Sequence, residues 1–230
     1  MIIIYNCKES SKMKKGFTLI EIAIVLVIIG IITGAVLKGQ ALIDNAKAKR
    51  FQSDVRGYEA LGWTYYDRKA NFPGDCNKDG VIDYVLATTK GTFLDEATVA
   101  NDCETLNETT PTAGGVDTFF SDLRKTQIVS PSQTNVSLAT HQYSDTLNFG
   151  HVTIGASPVK YNAVIAYGVP AWVAKMKDTS IDGSEVSNEG RVRRVATITD
   201  GVVTFETDWV KSGETDNTNI NVIYFFDKQP

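Results

Sequence analysis

The sequence is poor in the residues that most often carry enzyme chemistry. Its 230 residues include two histidines, His141 and His151, and three cysteines. It has no H-x-x-x-H or C-x-x-C spacing of the kind that binds zinc. It also lacks a G-x-S-x-G segment around a nucleophilic serine and a glycine-rich phosphate loop. We therefore expect a non-enzymatic protein in which both histidines are surface residues or hydrogen-bonded residues of a sheet.

Positive charge is also scarce. Lysine and arginine number 23 against 27 acidic residues, which gives a formal net charge of −4. Residues 1–16 hold four of the lysines and one glutamate, so the charge without them is −7. A nucleic-acid-binding protein would show a basic stripe, so nucleic acid is not an expected partner. We interpret the basic group at residues 47–56 as a solvated helix face near membrane headgroups.

One long apolar run lies near the N-terminus, in a part of the chain without proline. Residues 17–37 carry a single charge, Glu21. As a helix with about 1.5 Å rise per residue they span roughly 30 Å, the hydrocarbon thickness of a bilayer. The run is longer than the apolar core of a secretory signal peptide. The lysines before it predict a cytoplasmic N-terminus and a translocated remainder.

The position of Glu21 suggests a partner of opposite charge. A carboxylate inside a membrane segment is costly unless it is paired or near the interface. Cleavage after Gly16 would leave a free amine on Phe17. One helix cannot easily fold its own amine back onto this side chain, but a neighbouring subunit could present one. Glu21 is therefore a candidate assembly residue.

The segment KKGFTLIE at residues 14–21 resembles the class III signal of type IV pilins and type II secretion pseudopilins. The resemblance implies cleavage between Gly16 and Phe17 by a prepilin peptidase, and N-methylation of Phe17. It implies a single-pass precursor in the inner membrane, surrounded by lipid before assembly. It also implies that an inner-membrane assembly platform joins it to other pilin or pseudopilin subunits, in a periplasmic or cell-surface filament.

Three roles fit this resemblance. The first is a structural subunit of a type IV pilus-like filament. The second is a pseudopilin of a type II secretion system, and the third is a binding or adhesion module at a filament tip. The N-terminal segment does not separate the three roles.

The spacing of apolar residues predicts an α+β fold, with a long N-terminal helix packed on a small antiparallel β-sheet. The helix is expected to end near Ala70, before the turn signal Asn71-Phe72-Pro73-Gly74. The predicted parts are a cleaved leader, a membrane or filament-core helix, an amphipathic helix and a globular β-rich domain, at residues 1–16, 17–37, 38–70 and 71–230.

Short elements are predicted in the globular part. A helix is expected over Thr118–Lys125, loop over 105–115, and a type I′ hairpin turn at Asp200-Gly201. The strand candidates are His151–Ile154, Tyr161–Tyr167, Arg191–Thr199, Val202–Thr207 and Asn219–Phe226. The segment YYDRKANFPGD at residues 65–75 resembles a Pro-Gly-Asp subgroup of pilin-like proteins, which sharpens the expected fold more than the role.

The segment DCNKDGVID at residues 75–83 matches the beginning of a calcium-binding loop. Gly80 lies at the position that needs a sharp turn, but Leu86 stands where an EF-hand has a bidentate glutamate. The alternative is an acidic turn that binds nothing. The candidate calcium ligands are the side chains of Asp75, Asn77, Asp79 and Asp83 and the carbonyl of Val81.

The cysteines suggest an exported domain. Cys7 lies in the predicted leader, which leaves Cys76 and Cys103. An isolated pair in an oxidising compartment usually forms a disulfide, and two free thiols are the alternative.

Two further features are interpreted without a specific site. The acidic stretch at residues 177–190 fits no metal template and is interpreted as a solvated loop. The three tryptophans, Trp63, Trp172 and Trp209, are interpreted as core or subunit-contact residues rather than as a carbohydrate or base-stacking platform.

The cleavage junction gives a direct prediction. The mature protein is expected to begin with N-methylated Phe17. Gly16→Val should block cleavage, because a branched side chain would crowd a peptidase pocket shaped for glycine. N-terminal mass analysis of assembled protein tests this, and residues 1–16 found still attached to wild-type protein would contradict it.

Overall fold

A computed structural model describes residues 16–91, 117–228 and 230 of the protein. It has a long N-terminal helix followed by a β-rich part with three short helices, which confirms the predicted α+β class. The helices are α1 (Leu19–Lys69), α2 (Phe119–Lys125), α3 (Asn135–Ala139) and α4 (Ala171–Asp182). The strands are β1 (Leu147–Ile154), β2 (Lys160–Pro170), β3 (Val192–Thr199), β4 (Val202–Phe205) and β5 (Asn219–Phe225).

The chain divides by its internal contacts into two units, up to Ala46 and from Lys47. Helix α1 ends at Lys69, one residue before the predicted end. The predicted loop over 105–115 lies outside the described residues.

All five predicted strands are present, and they form one sheet in the order β1-β2-β5-β3-β4. Between β3 and β4, Asp200 and Gly201 have φ angles of 49° and 78°. Two consecutive positive φ angles are the requirement of a type I′ turn, which confirms the predicted hairpin. Four of the strand pairings are antiparallel.

The fifth pairing closes the sheet into a barrel. It is parallel and short, and it pairs Thr153 with Val202 and Ile154 with Val203. Closure pairs some of the backbone groups that the two edge strands would otherwise expose. The sequence predicts an antiparallel sheet but not this closure, because the pairing joins residues about 50 positions apart.

The core of the unit from Lys47 onward is rich in aromatic rings. Tyr58 of α1 meets Phe120 edge to face, with ring centroids 5.2 Å apart. Phe119 stacks on Phe149 at 3.9 Å, which joins α2 to β1. The α1 side chains buried in this unit recur at helical spacing; they are Ala48, Phe51, Val55 and Tyr65.

The prediction of a solvated loop over 177–190 is wrong for its first part, which belongs to α4. Asp178 is buried, and its Oδ2 accepts the N–H of Val186 at 2.9 Å. Asp182 Oδ2 accepts the N–H groups of residues 191–192 at 2.8 and 2.9 Å. These carboxylates accept hydrogen bonds from backbone N–H groups of the following segment. The positions of the acidic residues in the sequence do not reveal these partners.

Lys177 is a second buried charge on α4. Its side chain is 3% exposed, and its Nζ lies 4.5 Å from the centroid of the Tyr224 ring. This nitrogen has no hydrogen-bond partner among the described residues. Burial, reinforced by the nearby Arg56 guanidinium, lowers the pKa of Lys177 to about 7. The fold therefore opposes the charged form of this lysine.

Replacing Lys177 should stabilise the domain in a pH-dependent way. The unfolded lysine binds its proton up to about pH 10.5, whereas the folded lysine releases it near pH 7. The wild-type penalty is therefore full below pH 7 and shrinks as the pH rises toward 10.5. Lys177→Met should raise the melting temperature by more at pH 6 than at pH 9.

The matched control is Lys175→Met on the same helix. Lys175 forms a surface ion pair with Asp216, with Nζ and Oδ1 2.7 Å apart, and removing such a pair has little effect. Melting curves at both pH values check the prediction. Equal gains for Lys177→Met at pH 6 and pH 9 would contradict it.

Candidate functional site

The predicted processing site lies directly before helix α1. Gly16 is exposed, and the Phe17 side chain is 85% exposed. No residue from 16 to 38 is buried. Helix α1 begins at Leu19 and is long and apolar enough in its first part to cross a membrane. The apolar surface that these residues present is far larger than a soluble protein normally exposes.

Glu21 completes a capping box at the start of α1. The N–H and hydroxyl of Thr18 donate to Glu21 Oε2 at 2.8 and 2.9 Å. In return, the N–H of Glu21 donates to Thr18 Oγ1 at 3.3 Å. This reciprocal pattern satisfies two backbone donors that the first helical turn leaves open. Sequence reasoning missed this local role, although the T-x-x-E spacing before an apolar run is its signature.

The four side chains of the predicted calcium loop come together in the structure. Asp75 is buried, and its two oxygens accept the N–H groups of Asp79 and Gly80 at 3.2 and 3.0 Å. The Asn77 Nδ2 donates to both Asp79 Oδ2 and Asp83 Oδ1 at 3.2 Å. The loop therefore holds its oxygen-bearing side chains close to one another.

Backbone hydrogen bonds fix the remaining loop geometry. The N–H of Val81 donates to Asp79 Oδ1 at 2.8 Å, and the N–H of Cys76 donates to Asp83 Oδ2 at 2.7 Å. Gly80 has a φ of +87°, which glycine adopts without strain. Among the described residues, no three His, Cys, Asp or Glu side chains form a metal-binding group. As they stand, the carboxylates of the loop accept N–H groups.

Burial perturbs two carboxylates of this loop. Desolvation raises the pKa of Asp75 and of Asp83, and the nearby Asp79 charge adds to both. The hydrogen bonds that they accept from N–H groups act in the opposite direction. The loop therefore holds negative charge in a partly dehydrated position, which a bound cation would compensate.

Cys76, at the second position of the loop, is disulfide-bonded. The other two cysteines, Cys7 and Cys103, lie outside the described residues. The pairing of Cys76 with Cys103 therefore stays a prediction.

Both histidines are buried, hydrogen-bonded residues. In β1, His151 Nδ1 lies 2.6 Å from the carbonyl oxygen of Ile82, and His141 Nε2 lies 2.8 Å from that of Tyr167. Burial lowers the pKa of both rings. His151 confirms the expectation of a satisfied sheet residue.

Asp117, directly before α2, is a buried structural carboxylate. It accepts the N–H groups of Phe119 and Phe149, each at 3.0 Å, and the side-chain amide of Asn148 at 3.1 Å. Desolvation raises its pKa to about 7. Asp117 therefore ties the start of α2 to β1.

The tryptophans differ in their exposure. Trp209 is 5% exposed and belongs to the core, as predicted, and Trp172 is partly buried. Trp63 is 37% exposed and lies at the surface of α1.

Comparison with known proteins identifies the N-terminal segment. Residues 11–37 match the family model described as the prokaryotic N-terminal methylation motif. No curated protein and no solved structure matches the chain. The motif covers the predicted cleavage junction, the capping box and the exposed apolar part of α1. By this motif, the N-terminal segment is similar to that of type IV pilin and pseudopilin precursors.

Proposed function

We propose that this chain is a structural subunit of a type IV pilus-like filament. It is made as a precursor, cleaved between Gly16 and Phe17, and held in the inner membrane by residues 17–37. An assembly platform then transfers it into the filament. The observation that carries the proposal is the methylation motif on an apolar helix whose side chains are all exposed.

The exposed apolar surface must be covered in the cell. The large apolar side chains of this segment are 47–93% exposed, and bulk water would make that exposure costly. Lipid covers them in the membrane, and the helices of neighbouring subunits cover them in a filament. Both environments suit the same apolar side chains, so transfer between them does not require the helix to refold.

Glu21 has capacity for a second partner. Its Oε2 accepts both Thr18 donors, whereas no hydrogen bond joins Oε1 to another described residue. Capping the helix and binding a cation can therefore occur together. In the proposed filament, that cation is the Phe17 amine of an adjacent subunit. The pair would be strong, because lipid and packed helices leave little water to screen it.

The same features suit a pseudopilin, which would form a short periplasmic filament for protein export. The location of the filament discriminates between the two roles. Subunits recovered by shearing intact cells indicate a surface pilus, whereas subunits confined to the periplasmic and membrane fractions indicate a pseudopilus.

Three substitutions separate the charge of Glu21 from its capping role. Glu21→Gln keeps an oxygen for the Thr18 donors but removes the charge, whereas Thr18→Ala removes the cap and keeps the charge. Breaking a buried pair costs about 3–5 kcal/mol, so Glu21→Gln and Glu21→Ala should reduce incorporation into filaments at least tenfold. Loss of an N-cap costs only about 1 kcal/mol, so Thr18→Ala should assemble much better.

The measurement is the ratio of mature subunit in filaments to mature subunit in membranes. All three variants should be inserted and cleaved, because the changed side chains lie beyond the cleaved bond. Glu21→Asp should restore part of the incorporation, because it keeps the charge at a shorter reach. Normal incorporation of Glu21→Gln into filaments would contradict the proposed pairing of Glu21 with the Phe17 amine of an adjacent subunit.

We also propose that the loop at residues 75–83 binds calcium. Oxygen ligands suit this ion, and the loop gathers four oxygen-bearing side chains around Gly80. A modest rotation of the carboxylates, away from the N–H groups that they accept, would direct them to one cation. The Val81 carbonyl is the predicted fifth ligand.

Calcium should therefore raise the melting temperature of the mature chain. A ligand at 100 times its Kd stabilises the folded state by about 2.7 kcal/mol, or roughly 5–10 °C for a domain of this size. Asp79→Asn keeps an acceptor for the Val81 N–H but removes a charge, so it should lose most of this gain. Asp67→Asn, on the exposed surface of α1, should retain it. Identical melting curves of the wild type in millimolar calcium and in chelator would contradict calcium binding.

A further inference from the structure

A cavity of about 280 Å³ opens beside the end of α1 and has not been assigned a role. It combines aromatic rings with charged and backbone groups. Its aromatic lining is Trp63, Tyr66 and Phe72, and the remaining lining is the loop segment 79–81 with Asp227 and Lys228.

The aromatic rings of the lining pack against one another, and two of them are accessible. Trp63 and Tyr66 lie three residues apart on α1 and are 37% and 38% exposed, whereas Phe72 is 3% exposed. The Phe72 ring centroid lies 5.0 Å from that of Trp63 and 4.9 Å from that of Tyr66. The buried Phe72 ring therefore packs against the exposed rings of Trp63 and Tyr66. Large aromatic side chains exposed together in a concave site are typical of ligand contacts.

The polar groups at the cavity include unused donors and acceptors. Neither the Trp63 indole N–H nor the Tyr66 hydroxyl has a hydrogen-bond partner among the described residues. Asp227 Oδ2 accepts from Asn162 at 3.0 Å, and within the described part of the chain no hydrogen bond reaches its Oδ1. In the same part of the chain, Lys228 Nζ makes one long contact of 3.5 Å, to the carbonyl of Lys160.

One buried side chain holds two parts of the cavity in place. Asn162 is 1% exposed, and its Nδ2 donates to the Gly80 carbonyl at 2.8 Å as well as to Asp227. Its Oδ1 accepts the N–H of Ile82 at 2.9 Å. The loop and the C-terminal residues therefore keep a fixed geometry, which reduces the ordering cost of binding.

We propose that this cavity binds a neutral hexopyranose unit. The positive C–H edges of a sugar ring suit the negative face of an aromatic ring, and its hydroxyls need both donors and acceptors. The Asp227 carboxylate disfavours an anion, and Lys228 disfavours a simple cation. For Trp63 this proposal replaces the interpretation as a core or subunit-contact residue. It does not depend on the filament role or on calcium in the loop.

Saturation-transfer NMR with the mature full-length chain tests the proposal. The chain is kept in a polyoxyethylene detergent, so that the micelle offers no sugar headgroup, with millimolar calcium present throughout. The probes are glucose, galactose, mannose and N-acetylglucosamine, with choline as the cationic alternative. Each probe is titrated against wild type, Trp63→Ala, Trp63→Phe and Asp227→Asn. The matched control is Trp172→Ala, since Trp172 lines a different cavity on α4.

At least one sugar should bind the wild type in a saturable way. Trp63→Ala and Asp227→Asn should each raise its Kd about tenfold, which corresponds to about 1.4 kcal/mol. Trp63→Phe should retain most of the affinity, and Trp172→Ala should leave it unchanged. Absence of binding by all four sugars would overturn the proposal, as would equal affinity in folded Trp63→Ala or competition by choline. If Trp63→Ala fails to fold, the Asp227→Asn titration decides.

Discussion

The apolar side chains of residues 17–37 are exposed and must be covered by something other than water. Lipid and neighbouring helices both meet that need, so one surface can serve first as an anchor and then as an assembly interface. In the proposed filament, the single carboxylate in this surface would make the contact between helices specific. Glu21 would then distinguish a correctly placed neighbour from a misplaced one, because only the correct register would bring a cation to it.

In the globular unit, buried polar groups form hydrogen bonds that join separate elements of the fold. Asp117 joins α2 to β1, Asp178 and Asp182 hold the segment after α4, and Asn162 connects the 75–83 loop to the end of the chain. Each accepts or donates hydrogen bonds that backbone groups would otherwise lack. Barrel closure does the same for part of two strand edges, because it pairs Thr153 with Val202 and Ile154 with Val203.

The parts predictable from sequence were those with a local signal. The apolar length of α1, the β-rich runs and the Asp200-Gly201 turn each act within a few residues, and the structure agrees with them. Helix α4 follows directly on β2 and mixes Lys177, Asp178 and small residues, so its buried face gives no clean helical pattern. Barrel closure, the cavity beside Trp63 and the partners of Asp182 depend on residues distant in sequence. No local sequence pattern predicts contacts between residues that lie so far apart in the chain.

Photo-crosslinking from within the apolar helix identifies what covers its exposed side chains. A photoreactive amino acid replaces Ile24, which is 54% exposed and lies one turn from Glu21, and the adducts are identified by mass spectrometry. We expect lipid adducts in the membrane fraction and adducts with the N-terminal helices of neighbouring subunits in the filament fraction. Adducts between position 24 and residues 47–230 of the same chain in both fractions would contradict this expectation, because the apolar surface would then be covered within one molecule.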